Sequence, residues 1–266
     1  PLEAWITLHG RPLEDREAES FYRHTADGSF RFTNVPAGDY TLTVRSNHRH
    51  APPIKITIDE GKTEEMDVEL APGSPFLDLY IHQHIFTPDE RAQVTCKGYL
   101  ESSMIGMQVY RVDLDTFLLK AGGSLQRLLG VESYYYGDSG TRSGVNLAAN
   151  PVLTLTGSFR QSIAGRESDG CFTQRIDIPK LGPGLYVIAA KGDNIQQLGW
   201  IMVTSLGLVT KTAGSELLAF ATDLKSGVPV SSAEVSVYAE DSRVASGITG
   251  PDGLAHLSMA TRAGGE

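Results

Sequence analysis

The chain of 266 residues predicts an all-β protein, a string of immunoglobulin-like or prealbumin-like β-sandwich domains. Three observations carry this. Apolar residues recur with period two in almost every segment, where a helix would show 3.6. Gly, Pro, Asn and Asp clusters punctuate these runs at the short intervals of antiparallel hairpins. The length exceeds that of one ordinary domain, which leaves room for two or three small sandwiches, each with its own core.

The first module spans residues 1–72. Phe30/Phe32, Tyr40/Leu42/Val44, Ile54/Ile56/Ile58 and Met66/Val68/Leu70 each put apolar side chains on one face, which predicts four strands around one core. Asp27-Gly28, Pro36-Ala37-Gly38 and Glu60-Gly61 lie between them, where glycine tolerates positive φ and proline pre-sets a turn. Ala71-Pro72-Gly73-Ser74-Pro75 then reads as a joint, because proline cannot donate to a ladder.

The second module spans residues 73–203. Leu77, Leu79, Ile81 and Ile85 share a face from Phe76 onward, with His82 and His84 on the other. Strands are expected at Ala92–Tyr99, Gly106–Leu114, Val152–Phe159, Phe172–Ile178 and Leu185–Lys191. An insert near residues 116–150 breaks the alternation. Leu118–Leu129 has a helical pattern, and Tyr134–Asn150 is rich in Gly, Ser and Asn, as a long loop would be. A second joint is expected at Gly199–Ser205. The third module, residues 204–266, has strands around Leu206–Lys211, Glu216–Thr222, Ala233–Tyr238, Arg243–Ile248 and Leu254–Met259, and Asp252-Gly253 repeats the turn of Asp27-Gly28.

Composition narrows the function classes. Charged residues are 21% and hydrophobic ones 41%, an ordinary globular balance. A formal net charge of -9 leaves no broad basic surface for phosphates, so nucleic acid and anionic lipid are poor partners. No apolar run reaches the roughly 20 residues that span a bilayer, and no secretion signal follows Pro1. Cys96 shares strand parity with Val94 and Leu100, whereas Cys171 is out of phase with Phe172, Ile176 and Ile178. This phase favours two free thiols over a bridge.

Chemistry-bearing patterns are sparse. Gly137-Asp138-Ser139-Gly140 is similar to the nucleophile loop of trypsin-like proteases, but no histidine sits in an A-A-H-C setting and Thr141 follows where a glycine would. His82 with His84, and His48 with His50, have the i, i+2 spacing that puts two rings on one strand face, without a carboxylate or cysteine at ligand spacing to complete a metal site. Asp113 with Asp115, and Glu60 with Glu64, share parity, yet strand-end carboxylates are ordinarily solvated. Tyr134, Tyr135 and Tyr136 with Asp138 are the candidate binding loop, since tyrosines offer rigid amphipathic contact area. Packing of that insert onto its own domain is the simpler account. The expectation is therefore no catalytic residue, no cofactor and no metal.

Two resemblances bear on function. The string D-G-S-F-R-F-T-N-V-P-A-G-D-Y-T-L-T-V, Asp27–Val44, resembles the carboxypeptidase regulatory-like, transthyretin-related family over about residues 1–71. That likeness implies a further strand ahead of the segment Pro1–Leu8, and hence an exposed edge and a chain cut from a longer protein. The phrases F-T-P-D-E-R-A (Phe86–Ala92), V-Y-R-V-D-L (Val109–Leu114), L-G-P-G-L-Y-V-I-A-A (Leu181–Ala190) and the run from Trp200 to Val230 resemble the macroglobulin domains of bacterial alpha-2-macroglobulin-like proteins. In such proteins a protease cleaves a bait segment and is enclosed, in some cases with an internal thioester. No C-x-E-Q thioester string and no bait segment occurs here. The resemblance implies a non-catalytic, extracytoplasmic scaffold segment, with target proteases (through the full-length protein) and neighbouring β-sandwich domains as partners. The alternative is a surface adhesion or ligand-binding module that displays Tyr134–Asn150.

Overall fold

The computed structural model describes residues 3–10, 22–46, 48–122, 124, 127–128, 141–142, 146–239 and 242–259. The fold is nearly all β, with 54% of residues in strands and 5% in helix, arranged in several sheets as the alternation requires. It divides into two compact units, one formed by Pro1–Phe76, Lys97–Glu101 and Ile163–Thr173, the other by Leu77–Cys96, Ser102–Ser162 and Gln174–Glu266.

In the first unit, β1 (Ala4–His9), β2 (Tyr22–Thr25), β3 (Gly38–Arg45), β4 (Arg49–His50), β5 (Ile54–Ile58) and β6 (Ala71–Pro72) form one antiparallel sheet. Its order is β2-β1-β3-β4-β6, with β5 also on β3. Ile6, Leu8, Tyr40, Leu42 and Val44 point to one buried face, and Phe30, Phe32, Ile54, Ile56, Met66 and Val68 pack against them. The core residues are the expected ones, but only two of the four expected strands pair. Residues 29–35 and 62–70 lie on the core as irregular chain. Alternation there reports burial on a sheet face, which needs no ladder.

Two further expectations change. β1 is not an edge strand, since β2 pairs with it through Ala4↔Thr25 to Thr7↔Tyr22. The expected joint at Ala71–Pro75 begins inside the sheet, where Ala71 and Pro72 pair with His50 and Arg49. Pro72 ends an outer strand, so its missing N–H costs no ladder bond.

The second unit contains β10 (Met104–Val112), β11 (Thr141–Arg142), β12 (Leu153–Ser162), β14 (Gly184–Gly192) and β15 (Ile195–Val203) in the order β11-β15-β14-β10-β12, with β8 (Ile85–Phe86) on β15. A three-stranded sheet, β13-β9-β7, is built from β7 (Phe76–Tyr80), β9 (Gln93–Tyr99) and β13 (Phe172–Asp177). Leu79 and Ile81 reach the backbone of Gly199 on β15. On the opposite face of the large sheet, Tyr110, Val112, Leu185, Val187, Ala189 and Leu198 pack with Phe117 of helix α1 (Leu114–Ala121) and Leu147 of a 3-10 turn. Covered on both faces, β14 is a continuous buried run from Leu185 to Ala190, as a doubly covered strand must be.

The helix begins four residues before the expected Leu118. Asp113 caps it by accepting the Thr116 N–H at 3.1 Å, and Gly122 closes it in the left-handed region at φ 55°. Strand β15 replaces the first part of the expected joint at Gly199–Ser205. Asp193 and Asn194, at φ 47° and 64°, make a two-residue hairpin turn of the kind these residues tolerate, and β15 returns along β14 through Val203. The third region carries β16 (Leu206–Ala213), β17 (Glu216–Asp223), β18 (Glu234–Ala239), β19 (Ser242–Ile248) and β20 (Leu254–Ser258), paired as β16-β17-β20 and β18-β19. Leu217, Ala219, Val235, Ala255 and Leu257 form its core.

One local device recurs in both units. In Pro36-Ala37-Gly38-Asp39-Tyr40, the Tyr40 hydroxyl donates to the Pro36 carbonyl at 2.7 Å; in Gly182-Pro183-Gly184-Leu185-Tyr186, the Tyr186 hydroxyl donates to the Gly182 carbonyl at 2.9 Å. Gly38 and Gly184 both stand at φ 155°. Each is a tyrosine corner that fixes where the chain enters a central strand.

Candidate functional site

The candidate binding loop, Tyr134, Tyr135, Tyr136 and Asp138, lies outside the described residues, as does Ser139. The histidine pairs do not form chelating faces. Strand β7 ends at Tyr80, and the two following rings part company: His82 lies against Tyr80 at 6.4 Å, while His84 stacks on Trp200 at 4.3 Å. His84 Nδ1 stands 2.8 Å from the Trp200 carbonyl, which can only accept, so that nitrogen carries the hydrogen. His48 is wedged between Phe76 at 4.8 Å and Tyr99 at 4.6 Å, and its Nε2 is buried without a hydrogen-bond partner; His50 is exposed. Among the described residues no three His, Cys, Asp or Glu side chains gather as a metal site requires.

The carboxylate pairs are likewise separated. Asp113 is the cap of α1, whereas Asp115 accepts the Tyr238 hydroxyl at 3.0 Å, a bond that raises the Tyr238 pKa. Glu60 and Glu64 are exposed. Cys96 and Cys171 are both free and buried. Burial pushes the Cys96 thiol up to about 12; burial first, and then the charge of Asp169, pushes Cys171 up to about 11. Neither has the thiolate character that reactivity needs.

The arrangement with clear mechanical content is the passage from β15 to β16. Only Thr204 and Ser205 separate the strands, and both are tied. β8 runs parallel to β15 (Met202↔Ile85, Val203↔Phe86), and the Thr204 N–H donates to the Phe86 carbonyl at 2.8 Å. Leu206 N–H donates to Thr204 Oγ1 at 3.0 Å, and Leu224 N–H to the Ser205 carbonyl at 2.8 Å. Among the described residues, two side-chain contacts span the joint. Lys225 Nζ meets Asp89 Oδ2 at 2.7 Å, and Tyr238 meets Asp115.

Local turns aim both partners of the ion pair. Thr87 Oγ1 donates to Asp89 Oδ1 at 2.6 Å, and Glu90 Oε2 accepts the Thr87 N–H at 2.6 Å. Asp223 Oδ1 accepts from Ser226 N–H at 2.8 Å and from Lys225 N–H at 3.2 Å, which closes the turn carrying Lys225. The Asp89 carboxyl is held at about 2, below its ordinary 3.8, first by the hydrogen bond from Lys225 and then by Thr87. Lys225 is raised by the same bond. In the sequence Asp89 falls in F-T-P-D-E-R-A and Lys225 in the Trp200–Val230 run, and no local pattern brings the two together. Opposite charges in two turn-forming phrases were the available signal.

Surface features complete the picture. A cleft of about 500 Å³ lies on the outer face of the first sheet, lined by Trp5, Thr7, Tyr22 and Arg45. A second, of about 630 Å³, opens over the Arg160 end of the large sheet. The third region leaves Leu208 58%, Val209 64% and Ile248 68% exposed, the first two on strand β16 at the edge of its sheet.

No protein-family model and no curated protein matches the chain. Among solved structures it is similar to native alpha-2-macroglobulin from Escherichia coli spanning domains NIE-MG1, at 14% identity and TM-score 0.47, over 70% of this chain and 89% of that one. It is also similar to the fragment of that protein spanning domains MG0-NIE-MG1, at 12% identity and TM-score 0.47, over 97% of this chain and 80% of that one. A Salmonella alpha-2-macroglobulin mutant, Y1175G, matches at 13% identity and TM-score 0.43, over 96% of this chain and 15% of that much longer one.

Proposed function

We propose that this chain is a non-catalytic scaffold segment of an alpha-2-macroglobulin-like protein, one that holds successive β-sandwich domains at set angles while the full-length protein encloses target proteases. The observation that carries the reading is the pinned joint. Its two residues are both hydrogen-bonded, and Asp89–Lys225 and Asp115–Tyr238 span it, so little interdomain swing remains. A joint of this kind transmits a rotation from one domain to the next, where a flexible linker would absorb it. The macroglobulin phrases support the assignment, because Asp89 and Lys225 fall within them. The carboxypeptidase regulatory-like reading of residues 1–72 and the module limits 73–203 and 204–266 belong to the same proposal, as does an extracytoplasmic setting. No helix among the described residues is long and apolar enough to cross a membrane. Exposed apolar side chains on edge strand β16 suit coverage by a neighbouring sandwich domain.

The test uses the full-length protein, incubated with an endopeptidase and assayed with a large protein substrate and a small chromogenic peptide. Enclosure predicts that cleavage of the large substrate is lost while cleavage of the peptide persists. Loss of both activities, or of neither, sinks the reading. This segment alone is expected to inhibit nothing.

A further inference from the structure

We propose that the open end of the large sheet is a docking trough for an acidic protein segment, which it grips by side-chain carboxylates. The trough follows from strand register. Gly106 on β10 stands directly opposite Arg160 on β12 and, on its other side, opposite Lys191 on β14; Lys191 in turn stands opposite Gln196 on β15. Directly opposed residues of antiparallel strands project to the same face. The row Arg160, Gly106, Lys191, Gln196 therefore crosses four strands on one side of the sheet, with a gap at the glycine between two cations. All four residues line the cleft of about 630 Å³.

This is the face that α1 and the 3-10 turn cover farther along, over Tyr110, Val112, Leu185 and Val187. Toward Met104 and Gly106 that cover gives out and the same face is half-exposed. β12 ends the order of its sheet, so the trough also opens sideways.

Charge identifies the occupant. Among the described residues neither Arg160 nor Lys191 takes part in an ion pair or a side-chain hydrogen bond, although the chain carries a net charge of -9. The carboxylate at the rim, Asp193, is turned toward the Ser102 N–H at 3.1 Å, where it anchors the β14–β15 turn. Two unpaired cations on strands two positions apart stand about 9–10 Å apart at the backbone, each with a flexible reach of several ångströms. That span suits successive carboxylates of an extended segment, with the Arg160 guanidinium able to take one bidentately. The glycine floor gives the segment's backbone room to approach. Its absent side chain is not forced by crowding, since a Cβ at Gly106 would meet only the Lys191 carbonyl at 3.7 Å and the Lys191 Cβ at 3.8 Å.

The experiment measures fluorescence anisotropy of a labelled, end-capped hexaglutamate peptide titrated with the chain at low salt. Arg160→Ala with Lys191→Ala is expected to weaken binding about tenfold or more, while Arg31→Ala with Lys55→Ala, which removes equal charge elsewhere, leaves it within about twofold. Gly106→Leu keeps both cations but fills the floor, in a site with room for it, and is expected to abolish binding without altering the circular dichroism spectrum. Glutarate should displace the probe. An equal loss in the control pair, unchanged binding by Gly106→Leu, no binding at all, or displacement by inorganic phosphate but not by glutarate would overturn the proposal. Its failure is independent of the enclosure assay, because the trough lies away from the pinned joint and takes no part in it.

Discussion

Substitution of Gly199 by alanine separates two descriptions of the same seven residues. In a linker, Gly199→Ala removes conformational freedom from the unfolded chain and stabilises by about 0.4–1 kcal/mol. In the structure, Gly199 belongs to β15, and a Cβ there would collide with Ile81 Cδ1 and lie 3.3 Å from Ile81 Cγ1 and 3.5 Å from Leu79 Cδ2. Ile81 and Leu79 are 2% and 0% exposed, so neither side chain has solvent to retreat into. An extra methyl group in such a core costs about 1–3 kcal/mol. Set against the entropic gain, the net loss is about 0.5–2 kcal/mol, or a Tm lower by about 1–8 °C for a body of this size. Shortening the opposing residue completes the argument. Ile81→Val alone costs about 0.5–1.5 kcal/mol, but it removes the clashing methyl, so the double variant should be more stable than the sum of the singles by about 0.5–2 kcal/mol. Thermal and urea unfolding of the four proteins measure this cycle. A neutral or stabilising Gly199→Ala, or strict additivity with Ile81→Val, would refute the placement of β15 against Leu79 and Ile81.

Tyr186→Phe deletes the corner hydrogen bond to Gly182 and should cost about 1 kcal/mol in thermal unfolding; an unchanged Tm would deny the corner a stabilising part. Lys225→Gln should broaden the distance distribution between spin labels placed on β14 and β17, since it removes one of the two contacts that span the Thr204–Ser205 joint; a distribution identical to wild type counts against the pin. Acid should act on the same contact. The Asp89 carboxyl has a folded-state value of about 2, depressed from 3.8, so its contribution is present above about pH 4 and is lost as pH falls toward 2. Lys225→Gln should move the Asp89 carboxyl titration, followed by NMR, back up toward 3.8, and an unchanged titration would contradict the assignment. Cys96 and Cys171 should react with a thiol reagent only after denaturation, given thiols pushed up to about 12 and about 11 by burial; fast labelling of the native chain would show them more open than described.

The sequence revealed burial more faithfully than pairing. Tyr40, Leu42, Val44 and Ile54 were legible as core and lie on strands, and Phe30, Phe32, Met66 and Val68 were equally legible as core, yet lie on irregular chain. Side-chain alternation is imposed by any extended backbone resting on an apolar face, and hydrogen-bond partners leave no mark on it. β15 escaped notice for a different reason. Gln196 and Gln197 interrupt its apolar pattern, and Asp193-Asn194 lacks the glycine that usually signals a two-residue hairpin, although both residues tolerate the left-handed region they occupy. The short strand Tyr22–Thr25 has almost no apolar pattern of its own, since Thr25 is its one buried residue. The trough was invisible in principle, because Gly106, Arg160, Lys191 and Gln196 are brought together by register alone.

The same distinction explains why the joint is informative. Each of its two turns is locally complete: Thr87-Pro88-Asp89-Glu90 closes on its own Thr87 and Glu90 bonds, and Asp223 to Gly227 on the bonds to Asp223. Neither needs the other in order to fold. Their ion pair is exposed and contributes little to stability by general experience, so the pair is poorly explained as a stabilising device. Orientation explains it better. The backbone bonds at Thr204 and Ser205 already limit bending, while Asp89–Lys225 and Asp115–Tyr238 resist rotation about the connection, because each acts at a distance from the two-residue axis. Contacts that add torsional stiffness with little added stability suit the proposed scaffold role, since they can be re-formed after displacement at small cost. The joint is thus expected to behave as a stiff spring, and exchange of both pairs for neutral, non-bonding residues should loosen the angle across Thr204–Ser205 while leaving Tm nearly unchanged.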